Sequence, residues 1–282
     1  MKFKGTAWML VVFLALGVYY FLVDLPAEKK ITKEKEIAGK VLYFKTADVK
    51  EFSLIKANQT ITLQHNPESN WNLIQPLKTK GDKSESDSFL SAIENLAKFR
   101  VVENNPKDLQ QYGLQDPAIK IHFRFKDGTQ ETLLFGHNSP MGGKTYLKLE
   151  SDTKVLLAVA LNTELEKSVY DFRDKTILNF SSGLINEIQV KRKDNPLNLI
   201  REKDQWLISG EVKAKADKDS VQAFLRAIQF SHIKEFESEN PDSLEIYGLK
   251  KPINSLILKD ENKKIYAIDL GNSKSDSGTF AK

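Results

Sequence analysis

The residues with the strongest claim to chemistry are 138–145, Asn138-Ser139-Pro140-Met141-Gly142-Gly143-Lys144-Thr145, which end in Gly-Lys-Thr as a phosphate-binding loop does. Such a loop cradles phosphate with backbone N–H groups at the start of a helix. Here Asn138 stands where the pattern needs glycine, and residues 146–149 continue as an alternating strand. The stretch is therefore read as a Gly-rich hairpin loop, and no nucleotide is expected. His65, His122, His137 and His232 are scattered without a partner at metal-ligand spacing, and no Gly-x-Ser-x-Gly elbow occurs. The absence of cysteine removes thiol catalysis and every cysteine-ligated metal site. Trp71 and Trp206 lie on alternating segments and are read as core aromatics rather than as stacking platforms for a glycan or base. No catalytic, metal or cofactor-binding residue is assigned.

What the chain repeats is structural. Residues 105–117 and 240–252 share Asn-Pro at the start, then Leu109, Tyr112, Gly113, Leu114 and Pro117 in one copy against Leu244, Tyr247, Gly248, Leu249 and Pro252 in the other. Asn105 suits an N-cap and Pro106 the first helical position, so a short helix is expected. Gly113 should stop it in the left-handed conformation, pairing Leu109 with Leu114 across a Schellman turn, and Leu244 with Leu249 likewise. Trp71 and Trp206, Asp82 and Asp217, Phe89 and Phe224, Tyr112 and Tyr247, and Gly136 and Gly271 all stand 135 residues apart. A constant offset of this kind implies two tandem duplicated modules rather than a short solenoid repeat.

The elements that carry these residues read as α+β, each module a mainly antiparallel sheet with one long and one short helix behind an N-terminal transmembrane helix. Strands are expected at 41–44, 52–54, 61–63, 71–73, 119–125, 132–135, 145–149 and 155–159, with turns at Asn58-Gln59, at 66–70 and at Asp127-Gly128. A helix should start after Asp82 with Glu85 at N3 and bury Phe89, Ile93 and Leu96, beside Ala92 and Ala97. Its twin face is Val221, Phe224, Leu225 and Ile228, and one closing helix is expected from Thr163 through Leu165, Val169 and Phe172.

Residues 5–23 form an uncharged run that reaches roughly 28 Å as a helix, about a bilayer core. The boundaries expected are a transmembrane anchor at 1–23, a charged stalk at 24–40, flexible or frayed-helical, and modules at 41–176 and 177–282. The second stops where the first still has residues 149–175 to come, so it is expected to be truncated or completed by a partner chain. A net charge of +4 from 42 basic and 38 acidic residues, without a basic block, gives no nucleic-acid partner. Lys2 and Lys4 precede the run while Lys29, Lys30, Lys33 and Lys35 follow it, so a strict positive-inside count leaves the body in the cytoplasm; a short basic tail ahead of a first apolar segment is the usual start of an exported, anchored protein, and the body is expected outside the inner or cytoplasmic membrane.

The anchor, the Leu-x-x-Tyr-Gly-Leu-x-x-Pro motif at 109–117, the Asp127-Gly128 hairpin, Gly136 and Phe172-Arg173-Asp174-Lys175 together resemble the bacterial domain-of-unknown-function 4340 family. The resemblance implies a membrane-anchored envelope protein, often encoded beside an ABC transporter and a gliding-motility-type auxiliary protein. It carries over no catalytic residue. The expectation is a non-enzymatic accessory or scaffold with an ABC transporter permease or auxiliary protein as partner. The alternatives are a peptide- or glycan-binding module, or an enzyme whose site forms only in the fold.

Overall fold

The computed structural model describes residues 8, 9, 13, 16–68, 70–193, 195–210, 214–274 and 278–282, leaving aside the side chains of 26, 27, 29–31 and 33. The chain divides into two compact units, the first ending at Asp174 and the second running from Lys175 to Lys282. Both are α+β, with mostly antiparallel strands and few helices.

The first unit contains α1 (Leu25–Gly39), β1 (Val49–Lys56), β2 (Gln59–Asn66), β3 (Asn70–Gln75), β4 (Thr79–Lys80), α2 (Lys83–Glu94), β5 (Lys98–Glu103), β6 (Ile119–Phe125), β7 (Gln130–Asn138), β8 (Lys144–Leu149), β9 (Val155–Val159), α3 (Asn162–Glu166) and α4 (Val169–Phe172). The strands among the described residues form one sheet in the order β4-β3-β2-β1-β6-β7-β8-β9-β5. Alternation decides the faces: Phe52, Leu54, Ile61, Leu63, Ile121 and Phe123 are buried. The polar positions between them pair across strands, Ser53 with Thr62 at 2.9 Å and His122 Nδ1 with Thr132 Oγ1 at 3.1 Å. α2 starts where Asp82 Oδ1 accepts the Glu85 N–H at 3.0 Å, and it lays Phe89 over Phe52 at 5.2 Å between ring centroids. Gly128, with φ of 90°, turns the β6–β7 hairpin.

The second unit contains β10 (Ile185–Lys191), β11 (Leu197–Glu202), β12 (Gln205–Ser209), β13 (Ala214–Ala216), α5 (Lys218–Gln229), β14 (Asn254–Asp260), β15 (Ile265–Lys274) and β16 (Gly278–Ala281). The sheet order is β13-β12-β11-β10-β14-β15-β16. Asp217 caps α5 as Asp82 caps α2, its Oδ1 accepting the Ser220 N–H at 2.8 Å. Phe180, Ile185, Ile188, Trp206, Leu225 and Leu258 make its core.

Several expectations are corrected. Residues 41–44 are not a strand: Val41 and Phe44 are buried as coil, held by the Val41 N–H donating to the Leu96 carbonyl at 3.0 Å. β5, unforeseen, fills the sheet edge beside β9. The closing helix is two short ones, because Ser168 and Asp171 form a capping box that begins α4 anew. The Asn-Pro helix shrinks to a single 3-10 turn at Gln110–Tyr112, and its counterpart at 245–248 is a turn only. Ala97 is exposed, and Phe224 is 40% exposed rather than part of a buried face. The stalk is the helix α1, which follows a π turn at Tyr20–Asp24.

Among the described residues no helix is long and apolar enough to cross a membrane. The expected anchor falls largely outside those residues, since 1–7, 10–12, 14 and 15 are not among them. Ser69 of the 66–70 turn and residues 275–277 of the second glycine loop lie outside them too.

Candidate functional site

The repeated residues build one joint in each unit. In the first, the Gly113 N–H donates to the Gln110 carbonyl at 2.9 Å and the Leu114 N–H to the Leu109 carbonyl at 3.0 Å, the paired bonds of a Schellman turn. Gly113 has φ of 68°, in the left-handed region that glycine adopts without a Cβ penalty. In the second, Gly248 donates to Glu245 at 2.9 Å and Leu249 to Leu244 at 2.9 Å, with φ of 70° at Gly248. The turns start from local side chains rather than from Asn105 or Asn240: Asp108 Oδ1 accepts the Gln110 N–H at 2.8 Å and Ser243 Oγ the Glu245 N–H at 3.1 Å.

Each turn is pressed onto a neighbouring strand at a glycine. A Cβ on Gly136 of β7 would stand 2.1 Å from the Tyr112 carbonyl oxygen, and one on Gly271 of β15 would stand 2.0 Å from that of Tyr247. Leu114, Pro117 and Leu249 are buried, while Leu109, Leu244 and Pro252 are half-buried. The Tyr112 ring lies 5.1 Å from Tyr146 and the Tyr247 ring 5.0 Å from Phe280. The Tyr112 hydroxyl donates to Glu103 Oε2 at 2.9 Å, which raises its pKa. Sequence reading missed Glu103 because it missed β5, although Lys98-Phe99-Arg100-Val101 alternates polar with apolar.

The tryptophans anchor the two cores. Trp71 is buried, donates its indole N–H to Asp87 Oδ1 at 2.9 Å, and stands edge-on to Phe52 at 5.3 Å. Trp206 is buried at the matching place on β12. Neither presents a face for stacking a ligand.

Beside the first joint lies a cleft of about 190 Å³ between β6–β8 and α3, walled by Ile119, Phe135, Leu161 and Leu165 with Asn138 and Glu166 among its polar groups. This is smaller than the ~300 Å³ at which small-molecule pockets begin. The loop 138–145 is a β7–β8 connection, closed by the Ser139 N–H donating to the Lys144 carbonyl at 2.8 Å; Thr145 continues as strand and offers no helix N-terminus to a phosphate. Among the described residues no three His, Asp or Glu side chains gather to hold a metal.

The family model for the domain of unknown function DUF4340 matches residues 71–211 and again 206–282. The chain belongs to the DUF4340 family. Both DUF4340 matches open on a core tryptophan, Trp71 and Trp206, and both run through a Tyr-Gly-Leu joint. No curated protein and no solved structure matches the chain.

Proposed function

We propose that this DUF4340 protein is a non-enzymatic envelope component in which a tandem-duplicated α+β module stands outside the inner or cytoplasmic membrane behind a single-pass anchor at residues 5–23. Its role is that of an accessory or scaffold to an ABC-transport or gliding-type assembly. The observation that carries this reading is how the repeated residues are used. Leu109, Tyr112, Gly113 and Leu114, with their counterparts at 244–249, close a turn against Gly136 and Gly271, so the chain's most specific sequence serves rigidity rather than a reactive centre. Each module then presents a rigid surface that suits contact with a partner.

In-membrane cross-linking, affinity purification and mass spectrometry test the role. A permease or auxiliary subunit in stoichiometric yield is the expected result; recovery of the uncross-linked chain alone overturns it. Placement is tested at Asn58, exposed in the β1–β2 turn of a chain without cysteine. Asn58→Cys should react with an impermeant maleimide before the inner membrane is lysed, and labelling only after lysis refutes an outward body.

A further inference from the structure

Where the stalk joins the first unit, basic and apolar side chains share one exposed surface. Lys40, the residue after α1, bridges to Ala97 just before β5, and its ammonium lies 6.0 Å from the Tyr43 ring centroid. Beyond Ala97, two register shifts against β9 take β5 out of regular alternation. Phe99, Arg100 and Val101 are consequently all exposed, Phe99 to 56%. Lys144 stands over the Phe99 ring at 4.7 Å and pairs in register with Val159, which is 50% exposed. Met141, at the tip of the loop that Lys144 ends, is 67% exposed.

Three of the acids nearby have partners. Glu94 accepts from the Thr46 backbone at 2.9 Å and hydroxyl at 2.8 Å, Glu36 pairs with Lys40 at 3.2 Å, and Glu103 takes the Tyr112 hydroxyl. What faces outward is Phe99, Met141 and Val159 set among Lys98, Arg100 and Lys144.

A groove of about 680 Å³ opens between the stalk and Tyr43, beside Lys40: Tyr20, Leu25, Glu28, Thr32 and Glu36 line it from one side, Tyr43 and Lys45 from the other. Across this groove the stalk helix faces residues 43–45 of the first unit.

We propose that this surface docks onto anionic lipid headgroups of the bilayer that residues 5–23 enter, so that the first unit lies against the membrane. The proposal rests on the anchor reading. Clustered Lys and Arg beside an apolar run are drawn to a negative leaflet, while exposed apolar side chains gain by entering the interface. Each basic group at such a surface is worth about a fivefold change in partition, so neutralising three lowers the ratio of docked to undocked protein about a hundredfold.

The test uses the full chain reconstituted into phosphatidylcholine vesicles with and without phosphatidylglycerol. A polarity-sensitive fluorophore on Met141→Cys should shift to the blue only with phosphatidylglycerol, and high salt should reverse the shift. A fluorophore on Asn58→Cys should not respond. Lys98→Gln/Arg100→Gln/Lys144→Gln should abolish the Met141 response while hydrogen-exchange protection of Ile119–Phe125 is unchanged. The same Met141 emission in both vesicle types, or an equal response at Asn58, overturns the proposal. Carbonate extraction judges the anchor separately. If carbonate strips the chain, the anchor reading fails, and the surface then stands or falls on whether the stripped chain floats with phosphatidylglycerol vesicles at low salt.

Discussion

Phe89 and Phe224 occupy matching turns of α2 and α5, 135 residues apart, behind matching aspartate caps, yet their surroundings differ. Phe89 is fully buried, with Phe52 stacked on it at 5.2 Å and Phe172 of α4 edge-on at 5.3 Å. Phe224 is 40% exposed and, among the described residues, has no aromatic ring against it. Local sequence sets where a helix begins and which residues share a face. Whether that face is buried depends on what the rest of the fold lays across it, here the α3–α4 segment of the first unit.

Truncating the two rings is the strongest way to break this comparison. Phe89→Ala should destabilise the first unit by about 3–5 kcal/mol, the range for emptying a well-packed aromatic site. Phe224→Ala, which gives up only part of its burial, should cost the second unit about 1 kcal/mol. Hydrogen-exchange protection of Ile119–Phe125 and Asn254–Asp260 reads each unit separately within the full chain. Equal losses would show that something in solution covers Phe224 as fully as Phe172 covers Phe89.

The same contrast marks what was legible beforehand. β6 and α2 could be read because their signals are local: Ile119-Lys120-Ile121-His122-Phe123 alternates, and Asp82 caps its own helix. β5 was harder, since Lys98-Phe99-Arg100-Val101 alternates only briefly and, among the described strands, it pairs with β9 alone, Lys98 with Ala158 across 60 residues of chain. Ser168-Val169-Tyr170-Asp171 was a local capping signal inside a run that looked continuous, and reading the apolar period alone hid it. At the joint, a Tyr-Gly-Leu turn announces a left-handed glycine, but the reason for Gly136 lies in a carbonyl 24 positions earlier and is visible only in three dimensions.

The joints sharpen the comparison from the other side, because here the units agree. Gly136→Ala and Gly271→Ala each drive a methyl into a backbone oxygen, which cannot swing away as a side chain end can. Each should cost its own unit about 2–3 kcal/mol, an overpacking penalty. Gly113→Ala should cost less, about 1–2 kcal/mol for the left-handed backbone, because the atoms its methyl meets belong to the movable His137 ring. A neutral result at Gly136 beside a large one at Gly271 would mean that the two turns do not seat alike.

The smallest expected effect is electrostatic and follows from a difference between two cross-strand ion pairs. Beside the β1 register shift Arg124 approaches Glu51 at 3.8 Å; beside the β10 shift Lys259 meets both Glu187 carboxylate oxygens at 2.9 Å. The Lys259 hydrogen bonds, outweighing partial burial and aided by Gln189, hold the Glu187 carboxyl below its ordinary value. A carboxyl whose pKa is depressed in the folded state adds stability above its unfolded pKa and loses it as pH falls through the folded value. Glu187→Gln should therefore weaken the second unit at neutral pH by less than about 1 kcal/mol, as suits a half-exposed pair. The gap to wild type should close on acidification below the ordinary glutamate range and narrow with added salt. Hydrogen exchange of Asn254–Asp260 across that pH series is the measurement, corrected for the intrinsic pH dependence of exchange. A gap that instead widens toward acid would mean that Glu187 is stabilised in its protonated form and that Lys259 is not its partner in solution.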